Sequence, residues 1–320
     1  MRVVLTGGNG FIGRGLITVL LERGHEVTSA VRRKQASLDP RIRQCWVEGL
    51  SADQEWRPLL AGQDVVVQLA ARVHVMGDTS SDPLAEYRKV NVEGTLSLAR
   101  QAAEAGVKRF IFVSSIKVNG ESTSLGKPYT ADMAAAPLDP YGVSKMEAEQ
   151  ALQALAARTG MEVVIIRPVL VYGPGVRANF FAMMNWLYKG VPMPFGAIDN
   201  NRRSLVALDN LVDLIMTCLV HPAAANQVFL VSDGEDLSTT DLLQRIGGML
   251  NKPARLIPVP CWLLEAGAII LGKRALAQRL CGSLQVDIRK TRELLSWSPL
   301  ISVDEALRKT TEDFLAQRAG

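Results

Sequence analysis

The sequence predicts an α/β fold, a doubly wound parallel sheet with a smaller, interleaved C-terminal part, on three observations. Apolar runs rich in Val, Ile and Phe recur at residues 2–5, 26–31, 65–69, 110–113 and 163–166, and strands apolar on both faces are what a parallel sheet covered by helices requires. Between them lie segments with Ala, Leu, Glu and Arg at helical spacing, so strand and helix alternate. After Arg167-Pro168 the alternation gives way to the breaks Gly173-Pro174-Gly175, Pro192, Pro194 and Gly196, where a second region is expected to begin. A further apolar run at 227–231 predicts a return to the sheet, so that the two regions interleave.

The first strand runs directly into Thr6-Gly7-Gly8-Asn9-Gly10-Phe11-Ile12-Gly13, which opens an amphipathic segment over 14–23. This is the setting in which such a loop binds a dinucleotide. Gly7 supplies a tight turn, Gly10 lets a pyrophosphate approach the backbone, and Gly13 lets helix and strand pack closely. The helix N-terminus offers free N–H groups and its positive dipole end. Residues 1–170 therefore read as a dinucleotide-binding (Rossmann) domain with a return near 204–232, and residues 171–320 as a substrate domain.

The second strand does not end in the acid that usually accepts the adenosine ribose hydroxyls. It continues as Arg32-Arg33-Lys34. Arg grips a phosphate with parallel hydrogen bonds, so Arg32, supported by Arg33, predicts NADP(H) over NAD(H). A solvated basic loop is the plainer reading of the same residues.

Val113-Ser114-Ser115 closes a buried strand, and Tyr141-Gly142-Val143-Ser144-Lys145 opens a helix. Spacing of four places Tyr141 and Lys145 on one helical face. A free tyrosine, with pKa about 10, is a poor proton carrier at neutral pH, and a nearby ammonium is expected to lower it. Tyr141 then serves as general acid or base, while Ser115 holds the same substrate oxygen.

Composition narrows the remaining choices. The 36 basic and 32 acidic residues leave a net charge of +4 without dense Lys/Arg blocks, so nucleic acid is not an expected partner. Cys45, Cys218, Cys261 and Cys281 contain no CxxC pair and read as reduced, mostly buried thiols; His25, His74 and His221 form no ligand pattern, so no metal is expected. The first apolar run is too short for a signal peptide, which places the chain in the cytoplasm. The most lipid-like stretch, 261–271, is interrupted by Glu265 and falls short of the roughly 20 residues of a spanning helix. It reads as a buried or partner-facing helix, with membrane-surface attachment as the lesser reading.

These motifs, in order, resemble those of the extended short-chain dehydrogenase/reductases, in the branch of nucleotide-sugar epimerases, dehydratases and 4-keto reductases. The matching pieces include Leu69-Ala70-Ala71, Asn91-Val92-Glu93-Gly94-Thr95 and Arg167-Pro168 through Val171-Tyr172-Gly173-Pro174-Gly175. The resemblance implies that Leu69, Ala70, Ala71, Asn91, Val113 and Pro168 border the cofactor, with Arg167 near the nicotinamide and Lys145 also on its ribose. In the substrate half it implies Asn179 and Arg203 at the diphosphate of a UDP-sugar, Phe195 along the uracil, and Ser115, Lys117 and Asp287 as further substrate contacts. Relatives often read Val-Tyr-Gly where this chain has Val118-Asn119-Gly120.

Because an epimerase regenerates its cofactor and usually retains NAD, the basic end of strand two favours a different expectation. It is NADPH-dependent reduction of the C4 keto group of a UDP-4-keto-6-deoxy-N-acetylhexosamine, for surface polysaccharide (O-antigen) precursors. The alternative is a UDP-N-acetylglucosamine or UDP-glucose 4-epimerase, and a non-catalytic cofactor sensor is the remote one. The helices over 91–105 and 141–158 match those that pair relatives into homodimers.

Overall fold

The computed structural model describes residues 1–35, 38–73, 82–270, 272 and 274–319; His74 lies outside them. The strands are β1 (Arg2–Thr6), β2 (Glu26–Val31), β3 (Arg43–Trp46), β4 (Val65–Gln68), β5 (Arg109–Val113), β6 (Glu162–Pro168), β7 (Leu170–Tyr172), β8 (Arg203–Ala207), β9 (Val228–Val231) and β10 (Asp236–Leu237). Seven of them form one sheet in the order β3-β2-β1-β4-β5-β6-β9, every pair parallel. The order reverses beside β1, which opens a crevice at the carboxyl ends of β1 and β4. The fold is the doubly wound α/β sheet that the alternating pattern predicts.

Strand periodicity divides the core between two faces. On one face Val3, Leu5, Val65, Val67, Ile111, Val113, Val164 and Ile166 pack with Leu16, Ile17 and Leu20 of α1 (Phe11–Glu22) and with Leu211, Leu214, Ile215 and Leu219 further along the chain. On the other, Val4, Val66, Phe110, Phe112, Val163 and Ile165 pack with helical residues Leu98, Ala99, Ala102, Ala148, Leu152 and Leu155. The helices on the way are the short α2 (Arg57–Leu60) and α3 (Pro83–Arg88), then α4 (Thr95–Glu104), entered through a π-helical turn at Lys89–Gly94, and α5 (Pro140–Thr159). Strand β3 was hidden in the sequence because Arg43-Gln44-Cys45-Trp46 alternates no apolar face; it forms the sheet edge, with Trp46 67% exposed.

The second half contains α6 (Ala178–Tyr188), α7 (Leu208–Val220), α8 (Thr239–Met249), α9 (Cys261–Ile270), α10 (Arg274–Cys281), α11 (Arg289–Leu295) and α12 (Val303–Ala319). A small sheet in the order β10-β8-β7 supports a separate core of Tyr172, Phe180, Met184, Leu205, Leu243, Ile246, Leu307 and Phe314. Of the expected return, β8 pairs within this small sheet, α7 packs on α1, and β9 joins the large sheet beside β6. Asp233, just after β9, ties the halves together: it accepts hydrogen bonds from Ala207 N (2.7 Å), Asn210 Nδ2 (2.7 Å) and the Tyr172 hydroxyl (2.8 Å).

Two expectations are corrected here. Only Cys218 is a buried thiol; Cys45, Cys261 and Cys281 are partly exposed, because they lie on the edge strand and on the outlying helices α9 and α10. Helix α9 has no buried residue, so burial does not explain its apolar sequence. Among the described residues no helix is long and apolar enough to cross a membrane.

Candidate active site

The glycine loop is built by close approach. Gly7 has φ +74°, and a Cβ there would lie 2.8 Å from Ala70 N, at the end of β4. A Cβ on Gly13 would lie 2.2 Å from the Gly7 carbonyl. The turn closes through Gly10 N to Gly7 O at 2.9 Å, and α1 starts at Phe11 with no side-chain cap on its first N–H groups. Phe11 and Ile12 pack against the core and anchor the helix.

In front of this loop is a cavity of about 930 Å³, lined by Gly7, Asn9, Gly10, Arg32, Arg33, Leu69, Ala70 and Ala71 among others. The glycine clearances, the uncapped helix start and the volume of the cavity fit a dinucleotide. Arg32 and Arg33 are exposed at its rim. Sequence reasoning missed the wall formed by Val47, Glu48, Gly49, Leu50, Ser51 and Trp56. The signal was available in principle, since the loop after a third parallel strand reaches the same crevice, but β3 itself was not recognised.

At the carboxyl end of β5, Ser115 caps the 3₁₀ turn Ile116–Val118, accepting from Lys117 N at 3.3 Å. Helix α5 begins with Asp139 as cap, accepting from Gly142 N at 2.7 Å, and Pro140 in its first turn, a favoured start. These two caps bring the Tyr141 hydroxyl close to Ser115, which favours its ionised form. The ring of Tyr141 meets Tyr87 edge-on at 6.0 Å. One turn on, Lys145 is 2% exposed, donates to Val113 O at 2.9 Å and lies over the Phe112 ring.

The electrostatics differ from the expectation that Lys145 lowers the tyrosine pKa. Burial pushes Tyr141 up to about 12, with Asp139 adding to the rise and the Ser115 hydrogen bond opposing it. Burial likewise lowers Lys145 to about 7, against the pull of Glu149. In both groups desolvation is the largest influence, and neither shift carries a contribution from the other. Burial therefore disfavours the charged form of both groups.

Beneath them lies a buried network. Glu149, on the turn after Lys145, receives Arg167 Nε at 3.0 and 3.1 Å and the Ser114 hydroxyl at 2.5 Å. Arg167 also donates to Asn119 Oδ1 at 3.0 Å. The guanidinium expected near the nicotinamide is therefore committed to Glu149 and Asn119. A Cβ on Gly120, the residue after Asn119, would fall 2.1 Å from the Tyr129 hydroxyl. Asn91 is 1% exposed and bonds Ser144 Oγ (3.0 Å), Arg72 O (3.0 Å) and Arg72 N (2.8 Å). It braces α5 against the loop after β4. Pro168 ends β6 opposite Val231.

The remaining candidates are more dispersed. Lys117 is held between Asp139 and Glu121; burial lowers its pKa, but the two carboxylates outweigh that and raise it. Asn179 is exposed in the first turn of α6. Phe195 packs against the second core, and its carbonyl accepts from Thr240 Oγ1 at 2.7 Å. Asp287 is engaged by Arg289 N (2.8 Å) and Nε (2.7 Å). Arg203 donates to Gly282 O at 3.1 Å, and burial, then Arg279, lower its pKa. An anion placed there would relieve two like charges. Residues 283–287 link Arg203 to the loop after Ser115, through Ser204 N to Leu284 O (2.8 Å) and Thr123 N to Ser283 O (2.8 Å).

Comparison with known proteins follows the same outline. A UDP-glucose 4-epimerase of Vibrio cholerae is 48% identical over 314 residues, covering 98% of this chain and 95% of that protein. An N-acetyl-alpha-D-glucosaminyl-diphospho-ditrans,octacis-undecaprenol 4-epimerase of Escherichia coli O157:H7 is 29% identical, over 90% of this chain and 88% of that one. Among solved structures, UDP-glucose 4-epimerase of Thermotoga maritima with UDP-glucose shares the fold with TM-score 0.78 at 23% identity, covering 99% and 100% of the two chains. UDP-glucuronic acid 4-epimerase of Bacillus cereus in complex with NAD does so with TM-score 0.79 at 21% identity, over 98% and 96%. Residues 3–232 match the model of the NAD dependent epimerase/dehydratase family, and the chain belongs to that family.

Proposed function

We propose that the chain is a UDP-sugar 4-epimerase, acting on UDP-glucose or UDP-N-acetylglucosamine. The observation that carries this over the 4-keto reductase reading is the near full-length 48% identity to a UDP-glucose 4-epimerase. The site supports it chemically. As phenolate, Tyr141 takes the proton of the C4 hydroxyl and later returns it, and Ser115 beside it holds the same oxygen. The buried Lys145 orders this corner through Val113. The glycine loop and cavity hold the dinucleotide, which when bound accepts the C4 hydrogen as hydride and gives it back. Oxidation and reduction cancel, so the sugar changes only in C4 configuration. Arg203 is the cation for the substrate diphosphate.

A separate observation favours NADP(H) as that dinucleotide, and with it the reductase: Arg32 and Arg33 line the cavity where an acid would select NAD. The two readings part in one experiment. Purified protein is incubated with UDP-glucose and with UDP-N-acetylglucosamine without added cofactor, and the products are resolved by chromatography. The C4 epimer, with no net change at 340 nm, is the expected result. NADPH oxidation by a UDP-4-keto-6-deoxy-N-acetylhexosamine, with no epimer from either UDP-sugar, would reverse the assignment. The packed pair α4 and α5 is the face on which a homodimer would form.

A further inference from the structure

Helix α9 has its amphipathicity reversed. Trp262, Ala266 and Ile270 follow at four-residue intervals, with Leu263 and Ile269 on their flanks, and all five side chains are exposed. At 100° per residue they share one arc of the helix. Cys261, Leu264, Gly267 and Ala268, the partly covered residues, share the other. Trp262 is 67% exposed, Ile269 58% and Ile270 84%. Just before the helix Ile257 is 50% exposed. An outward face of large apolar side chains costs solvation free energy unless something covers it.

The charges that flank this helix in the sequence indicate what covers it. Between 252 and 279 the sequence has Lys252, Arg255, Lys273, Arg274 and Arg279 against the single acid Glu265. Of these cations Lys252, Arg255 and Arg279 are exposed. A second copy of the chain on the same face would set these cations against their own equivalents. An anionic bilayer instead offers an apolar interior to the face and phosphate to its rim, and tryptophan is a side chain suited to that boundary. We propose that the outer face of α9 is a docking surface for an anionic membrane, with Trp262, Leu263, Ile269 and Ile270 entering the headgroup boundary and Lys252 and Arg255 meeting lipid phosphate. Ten residues are too few to span, so the chain lies on the surface. The inference is independent of the 4-epimerase reading.

The test uses the full chain and sedimented vesicles of phosphatidylcholine alone or mixed with phosphatidylglycerol. Wild-type protein pellets with the mixed vesicles, and added salt releases it. Trp262→Glu with Ile270→Glu lowers the bound fraction at least about tenfold, since two apolar anchors are lost. Lys252→Glu with Arg255→Glu lowers it selectively at low salt. Both pairs are exposed, so unchanged circular dichroism melting separates lost docking from lost fold. Failure of the wild type to pellet with anionic vesicles overturns the proposal, as does equal binding by the Trp262/Ile270 variant. A mass drop in that variant by light scattering, without wild-type vesicle binding, would assign the face to self-association and also overturn it.

Discussion

Lys145 Nζ lies 4.1 Å from the centre of the Phe112 ring and donates to the carbonyl of the next residue, Val113, at 2.9 Å. Burial of the ammonium lowers its pKa to about 7 in spite of these contacts and of Glu149, which pulls the other way. A lysine depressed from 10.5 binds fewer protons folded than unfolded between those two values. Stability contributed by this group therefore rises with pH across that window, and below about pH 7 its full cost is present. Urea midpoints measured from pH 6 to 10 are expected to show this rise in the wild type and lose it in Lys145→Met.

Replacing Tyr141 by Phe removes the hydroxyl near Ser115 and leaves the ring against Tyr87. Turnover is expected to fall roughly 100- to 10,000-fold, the usual share of a general acid or base. Dinucleotide binding, followed by fluorescence titration, should hold. Unchanged turnover would remove Tyr141 from its role.

The Glu149–Arg167 pair is almost fully buried, its side chains 4% and 8% exposed. Glu149→Ala leaves a guanidinium without its counter-ion in the interior, which costs about 3–5 kcal/mol. The urea midpoint should drop accordingly; replacement of Glu149 alone should be worse than replacement of both partners by apolar residues of similar volume.

Gly13→Ala drives a methyl to 2.2 Å from the Gly7 carbonyl, a backbone atom that cannot swing aside. The expected loss is about 1–3 kcal/mol of stability, together with dinucleotide affinity, because the loop must open to make room. Gly24→Ala is the control: space is free there, yet its φ of +73° gives it a smaller, strain-only cost.

Arg32→Asp tests which dinucleotide the rim of the cavity selects. If Arg32 holds a 2′-phosphate, the variant binds NADPH at least about tenfold more weakly, consistent with a lost charged hydrogen bond of 1.5–3 kcal/mol. NADH binding changes little. Equal losses in isothermal titration would return Arg32 to the solvated loop.

What the sequence shows best is what local chemistry determines. The glycine loop, the Ser115 strand end and the Tyr141–Lys145 turn are each contiguous, and their meeting follows from strand order in a parallel sheet. Partners far along the chain were not legible: Arg167 meets Glu149 across 18 residues, and Lys290 meets Asp132 across 158. For the same reason the hold of Asp139 and Glu121 on Lys117, a residue that the resemblance implies as a substrate contact, was not legible. Strand β3 escaped because an edge strand need not be apolar. The direction of the Tyr141 shift escaped because spacing gives proximity to Lys145 but not the depth of burial that dominates both pKa values.

The late return of β9 to the sheet has a consequence for biosynthesis. When residue 170 leaves the ribosome, β6 is complete on one side only; its neighbour β9 and the covering helix α7 are still up to 61 residues away in sequence. Until α7 is made one sheet face lacks the apolar cover of Leu211, Leu214 and Ile215, and until Val231 is made the β6 edge offers unpaired N–H and C=O groups. Such an edge invites pairing with other chains. A fragment cut after β6 would expose a sticky template rather than an independent folding unit, so nascent chains stalled in this interval are the ones a chaperone must shield.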